Sequence, residues 1–433
     1  MQIVNPLNPD LLKKVYNFSD DSFIWAESID TSIFSLGAMV GCIFTGFLIE
    51  RYGRYKINLA VLAVELSICF IYIIKWFPLF LVARFLSGVV GGLSSSICGP
   101  YIQEAAARKH KNFGKLSIFV FMTLGSTLGN LLCALLDTHI YEYWRFILFW
   151  PSIVTIFRFS LFATIFTFDT PRHLISKDAP IDEILHSISK QYTLEAAEKV
   201  YNREVQIYKE TQKINIPTYA SIFKPPYRYP LFLAFFLAFA QQISGSSLIV
   251  FYSTSIFQSY SNLNSYWITF IVGFGNMAGA TLALSLKGVT EKKDNFVYGI
   301  MGMLLGFYAL NWGLSLDRQY LPVISALVYM ISFGYGLGGT LYAYIPEILP
   351  ATGVGMAMFV KWMFIGLANL IVPTMIDKLG LFWSLNFFLV MNCISLVVIQ
   401  VFGVETRGMN SAEIMRSFKK KSKLSLWEKF IKK

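Results

Sequence analysis

Apolar runs of roughly twenty residues recur from end to end of this chain. Each is long enough to cross about 30 Å of hydrocarbon as a helix rising about 1.5 Å per residue. Backbone in lipid must satisfy its own N–H and C=O groups, and runs of this length do so as helices. The runs predict spans at 32–49, 57–77, 79–103, 114–136, 144–168, 229–256, 265–286, 295–315, 320–345, 355–376 and 381–403, about eleven in all. Composition points the same way: of 433 residues, 55% are hydrophobic and only 15% charged, where a soluble domain carries about a quarter. The expected class is an all-α polytopic membrane protein.

The net charge of +11 resides in short loops. ERYGRYK, ARKHKNFGK, the 169–228 segment, KGVTEKKDN and the KKKSK tail are basic, whereas DTHIYEY, SYSNLNS, SLDRQY and DKLG are poor in Lys and Arg. That alternation is the positive-inside pattern of a membrane protein; a nucleic-acid surface would interleave its cations with aromatics. It predicts five parts. Residues 1–31 form an extracellular N-terminal segment, 32–168 an N-terminal transmembrane bundle, 169–228 a cytoplasmic helical linker, 229–403 a C-terminal bundle and 404–433 a basic cytoplasmic tail. Asn17-Phe18-Ser19 is a glycosylation sequon on the outer segment. Five spans plus six is one short of the six-plus-six plan of transporters built from related bundles. The expectation is that a leading helix is missing.

Nothing in the chain suggests an enzyme, a cofactor or a metal. The five cysteines lie in apolar runs without a CxxC, and the four histidines (110, 139, 173, 186) are scattered in loops. The glycines of Gly334–Gly339 lack the Lys and Ser/Thr of a phosphate loop. Two charges inside spans, Glu65 and Arg158, lie at similar depth, and an intramembrane pair is expected. Lys361, about two turns into its span, is expected to snorkel to the inner surface.

The stretch QQISGSSLIVFYSTSIF places two amides, Gln241 and Gln242, in the middle of lipid-seeking sequence. An amide offers donors and acceptors without a charge to desolvate, which suits it to replace water around an uncharged polyol. The plain alternative is hydrogen-bonding glue between helices.

Several motifs, in order along nearly the whole chain, resemble the sugar-porter branch of the major facilitator superfamily, most of all the facilitative glucose transporters of animals. They are Glu50-Arg51-Tyr52-Gly53-Arg54, Arg84-Phe85-Leu86-Ser87-Gly88 with Pro100-Tyr101-Ile102-Gln103-Glu104, Trp144-Arg145, Asp169-Thr170-Pro171-Arg172, the QQISGSS stretch, Pro346-Glu347 and Val404-Glu405-Thr406-Arg407-Gly408. The resemblance begins just past the family's first helix, and it puts Asn17 where animal members often carry their glycan.

The resemblance implies a major facilitator fold with alternating access, a hexose or related sugar as substrate, and a plasma-membrane location. It implies sugar contacts at Gln241, Gln242, Asn276 and Asn369. Ser247 stands for the family's asparagine and Tyr342 for its tryptophan; the fifth-helix glutamine falls on Phe121 or Thr123. It implies gate ion pairs among Arg51, Arg54, Glu104, Arg172, Glu347 and Glu405, with Tyr252 left from the outer tyrosine pair. Facilitated diffusion is the first expectation. Proton-coupled symport and a non-transporting truncated paralogue or sugar sensor stay open, and a chain without the first helix is expected to transport poorly.

Overall fold

A computed structural model describes residues 15–16, 20–106, 111–136, 139–190, 192–213, 220–246, 248–249, 265–286, 289–315, 321–409 and 411–422. Helix α1 (Asp20–Tyr52) is followed by α2 (Arg54–Ile71), α3 (Phe77–Ala105), α4 (Lys111–Leu135) and a span in two pieces, α5 (Ile140–Phe149) and α6 (Pro151–Thr164). Three short helices, α7 (Pro171–Ser176), α8 (Ile181–Ser189) and α9 (Leu194–Lys213), form the linker. The second bundle is α10 (Arg228–Ile243), α11 (Ser265–Ser285), α12 (Lys292–Ser315), α13 (Leu321–Phe333), a π-helical turn (Gly334–Gly338), α14 (Gly339–Ile348) and α15 (Ala351–Phe402), and α16 (Ser411–Ser422) begins the tail.

Among the described residues, nine segments are long and apolar enough to cross a membrane. Of the other two expected spans, the second falls on α2, which carries Arg54, Lys56 and Glu65, and the sixth on α10 and a stretch partly outside the described residues. Gly380, at φ 79°, breaks α15 where two spans were predicted to meet. Helix α1 starts at Asp20, ahead of the predicted boundary at 31/32, while its membrane-crossing part begins at Ser32. Apolarity begins near Ser32, but helical hydrogen bonding does not require it, and the polar first turns still contribute Asp30 to the bundle interior.

Glycines set the closest helix contact in the first bundle. A Cβ on Gly37, Gly41, Gly88 or Gly92 would lie 2.1–2.3 Å from a backbone oxygen across the α1–α3 contact. Small residues of this kind let membrane helices pack backbone to backbone. One apolar core lies in the first bundle and includes Ile57, Phe80, Val90 and Ile147. The larger core, with Leu237, Phe296, Phe307 and Tyr329, lies in the second and takes in Phe119 of α4 and Cys42 of α1. The bundles meet where α1 packs on α15 and α4 on α11. The linker helices bury their own Leu174, Ile175, Ile184 and Ile188.

Candidate functional site between the two bundles

Gln241 and Gln242 end α10 in full burial. A π-helical turn carries five-residue hydrogen bonds and leaves backbone groups free for other partners. Here the Leu337 carbonyl, inside such a turn, accepts from Gln241 Nε2 at 3.0 Å, while Gln242 Nε2 donates to Gln241 Oε1 at 3.2 Å. The turn that follows is pinned from two sides. Ser244 O accepts from the Tyr329 hydroxyl at 3.0 Å and from Asn392 Nδ2 at 2.8 Å. Gly245 adopts φ 92° there, and a Cβ would strike the Phe307 and Phe388 rings.

Asn276, on α11, borders a cavity of about 60 Å³ whose wall also includes Thr123, Ser126 and Asn130 of α4, Thr269 and Gly273 of α11, and Met330 of α13. The space exceeds what one water molecule needs, and it lies between the bundles. Asn276 Oδ1 is buried with no hydrogen-bond partner among the described residues, as is Thr127 Oγ1 one turn from Thr123. Leaving such an acceptor unpaired costs about 1–3 kcal/mol. Of the two fifth-helix positions the resemblance left open, Thr123 faces the cavity and Phe121 is 68% exposed.

The other expected contacts lie apart from that cavity. Neither glutamine is in its wall. Tyr342 stacks on Phe119 with centroids 5.6 Å apart and its hydroxyl accepts a hydrogen bond from Lys361. Lys361 therefore does not snorkel. It is buried on the Tyr342 ring, because its helix turns that face toward the bundle interface and not along the helix to the basic surface. Asn369, two turns further along α15, has a buried Oδ1 without a partner among the described residues. Ser247, Tyr252 and Asn17 lie outside the described residues.

The expected gate charges separate into two clusters on the face that carries the basic loops. In the first, Arg54 Nη2 meets Glu104 Oε1 at 2.7 Å, and Thr170 Oγ1 donates to Glu104 Oε2 at 2.9 Å. Asp169 Oδ1 accepts the Arg54 N–H at 2.9 Å. Gly53 makes this possible: at φ 82° it opens the α1–α2 turn, and a Cβ would overlap the Asp169 carboxylate. His173 lies against Arg54 at 3.4 Å, and its imidazole is held below its ordinary value, first by burial and then by the Arg54 and Lys177 charges, with Asp169 and Glu104 opposing. In the second cluster Glu347 accepts from Lys292 at 2.5 Å and from Lys115 at 2.6 Å. Arg51 and Arg172 join neither cluster. Arg51 lies over the Phe47 and Tyr52 rings, and the Arg172 charge reaches the Tyr227 hydroxyl, which burial pushes above its ordinary value. Glu405 forms no side-chain ion pair among the described residues. Its carboxylate caps α12 by accepting the Lys293 N–H at 3.0 Å, a favourable place for an anion at a helix N-terminus.

Two ion pairs lie within the spans. Arg158 Nη1 and Glu65 Oε2 are 3.3 Å apart, joining α6 to α2. The other pair escaped the sequence reading: Arg84 Nε meets Asp30 Oδ1 at 2.6 Å with both side chains at 2% exposure or less. An arginine inside the apolar run LVARFLSG needs a partner, which is the available signal; Asp30 is not legible as that partner because it precedes the apolar part of its helix. Lys115 and Lys292 likewise look like ordinary loop charge in the sequence.

Two bundles of membrane-crossing helices, polar groups left unpaired at their junction and an ion pair tying them together on one face define a membrane carrier. The chain belongs to the family described as Sugar (and other) transporter, which matches residues 17–418. Among its relatives, a facilitated glucose transporter homolog of Caenorhabditis elegans is 27% identical over 81% of this chain and 70% of its own length. Solute carrier family 2, facilitated glucose transporter member 2 of Sus scrofa is 26% identical over 92% and 78%, and the major myo-inositol transporter IolT of Bacillus subtilis 25% over 91% and 86%. The solved structure of the major facilitator superfamily proton:xylose symporter XylE bound to 6-bromo-6-deoxy-D-glucose superposes with TM-score 0.80 at 17% identity, covering 96% of this chain and 94% of that one.

Proposed function

We propose that this protein carries a hexose-sized sugar across the plasma membrane by facilitated diffusion, its bundles rocking about the site between them. The observation that carries this reading is a polar cavity walled by both bundles, with Thr123, Ser126 and Asn130 on one side and Thr269 and Asn276 on the other. Relatives named for glucose and inositol transport support the substrate class. Gln241, Gln242 and Asn276 replace water on the sugar hydroxyls, with Ser247, Tyr342 and Asn369 at the edges of the path. Lys115–Glu347 closes the cytoplasmic side, and Arg51, Arg54, Glu104, Arg172 and Glu405 hold the loops around it. Tyr252 lies at the outer side and Asn17 accepts a glycan there.

In liposomes reconstituted with the full chain, D-glucose uptake should saturate and stop at equal concentrations. Asn276→Ala should raise the half-saturating concentration about tenfold, the value of one buried hydrogen bond. Absence of saturable uptake would overturn the reading. The observation that favours proton-coupled symport as a second reading is Asp30, a buried carboxylate paired with Arg84. Accumulation against a gradient that a protonophore collapses, and that Asp30→Asn abolishes, would establish that second reading.

A further inference from the structure

Lys361 is the charge that neither the fold nor the gate accounts for. It lies on α15 at 5% exposure, donates to the Tyr342 hydroxyl, and holds its ammonium 4.3 Å from the Tyr342 ring centroid and 5.7 Å from that of Trp362. Its charge also reaches the Cys42 thiol on α1. Arg54, Arg84, Lys115, Lys292 and Arg158 each have a carboxylate within 3.3 Å. Lys361 has no carboxylate partner among the described residues. Aromatic faces attract a cation but do not neutralise it, and a buried ammonium without a counter-charge is costly to keep.

The position also lies between the bundles, near the cavity at Asn276 though not in its wall. Trp362 Nε1 reaches Ser95 Oγ of α3 at 3.4 Å, and the Tyr342 ring lies on Phe119, one turn along α4 from Thr123 in the cavity wall. The ammonium therefore sits where α3, α4, α14 and α15 converge, in the inter-bundle layer that also holds the orphaned Asn276 oxygen.

We infer that Lys361 makes this carrier selective for a sugar acid, a hexose-sized polyol bearing one carboxylate, over the neutral hexose. The inference rests on the transport reading and names its substrate class. One ammonium balances one negative charge, so a carboxylate fits; a phosphate ester, near −2 at neutral pH, would leave a buried excess. The Tyr342 hydroxyl accepts from Lys361, and among the described residues its own proton goes to the Met122 sulfur at 3.7 Å. That proton can turn to the second carboxylate oxygen.

The test compares D-glucuronate with D-glucose, alike except for the carboxylate, in uptake by liposomes holding the full chain. Glucuronate should be taken up about tenfold more efficiently, in keeping with a charge-assisted hydrogen bond in a dry site. K361Q should bring the ratio close to one, and K361R, which keeps the charge and controls for folding, should preserve the preference. A wild-type ratio at or below one, or a ratio that K361Q leaves unchanged, overturns the inference. Glucose uptake without glucuronate uptake sinks it while the transport reading stands, and uptake of neither sugar sinks both.

Discussion

On the basic face of the first bundle, Arg54, Glu104, Thr170, Asp169 and His173 bind one another, and every member belongs to that bundle or to the start of the linker. On the same face of the second bundle, Glu347 is held by Lys292 from its own bundle and by Lys115 from the other. The two clusters resemble each other in sequence as acidic residues near arginine or lysine loops. They differ in what they join. A contact inside one rigid body is the same in every state of a rocking carrier and cannot bias the states; a contact between bodies exists in only one of them. In the rocking mechanism proposed above, the first cluster acts as a scaffold that docks the linker and fixes the α1–α2 turn, and the second acts as the latch.

Glu347→Gln should show the largest effect. It leaves the buried Lys115 and Lys292 ammonium groups facing a neutral amide, at a cost of about 3–5 kcal/mol. Thermal unfolding of the purified protein should fall, and cysteines introduced at the bundle junction on the basic face should become reactive from that side. Unchanged reactivity would remove the latch from the comparison. Arg54→Gln should cost less, about 1–3 kcal/mol for the unpaired Glu104. Its signature is faster proteolysis of residues 169–228 with the same junction reactivity; a shift in reactivity would show that the first cluster also senses the state.

The smallest effect concerns pH. The His173 imidazole is depressed by burial first and by Arg54 and Lys177 after it, so the unfolded segment takes up the proton before the folded one. Its contribution is present above the ordinary histidine value of about 6.5 and is lost as pH falls from there through the depressed value of the folded state. Linker proteolysis should therefore quicken below that pH, and His173→Gln should flatten the dependence.

The helices, their approximate ends and the family were legible in the sequence because each follows from local pattern: run length, charge alternation between loops, and motifs of a few residues. Glu65 and Arg158 were legible as a pair because depth along two helices can be counted at a fixed rise per residue. Asp30, Lys115 and Lys292 were not, since their roles depend on which helix faces which across tens to hundreds of intervening residues. Glu405 shows the same limit from the other side: its charge suggested a gate, and only the fold made it the cap of α12. Lys361 is the sharpest instance. Position along its helix predicted snorkelling, but rotation about the helix axis decides whether a long side chain reaches the surface or the interior, and helix packing alone sets that rotation. The sequence by itself determined a membrane carrier of this family with amides in its spans. Tertiary structure decided which charges are spent on each other, and it buried Lys361 against Tyr342 with no carboxylate partner among the described residues.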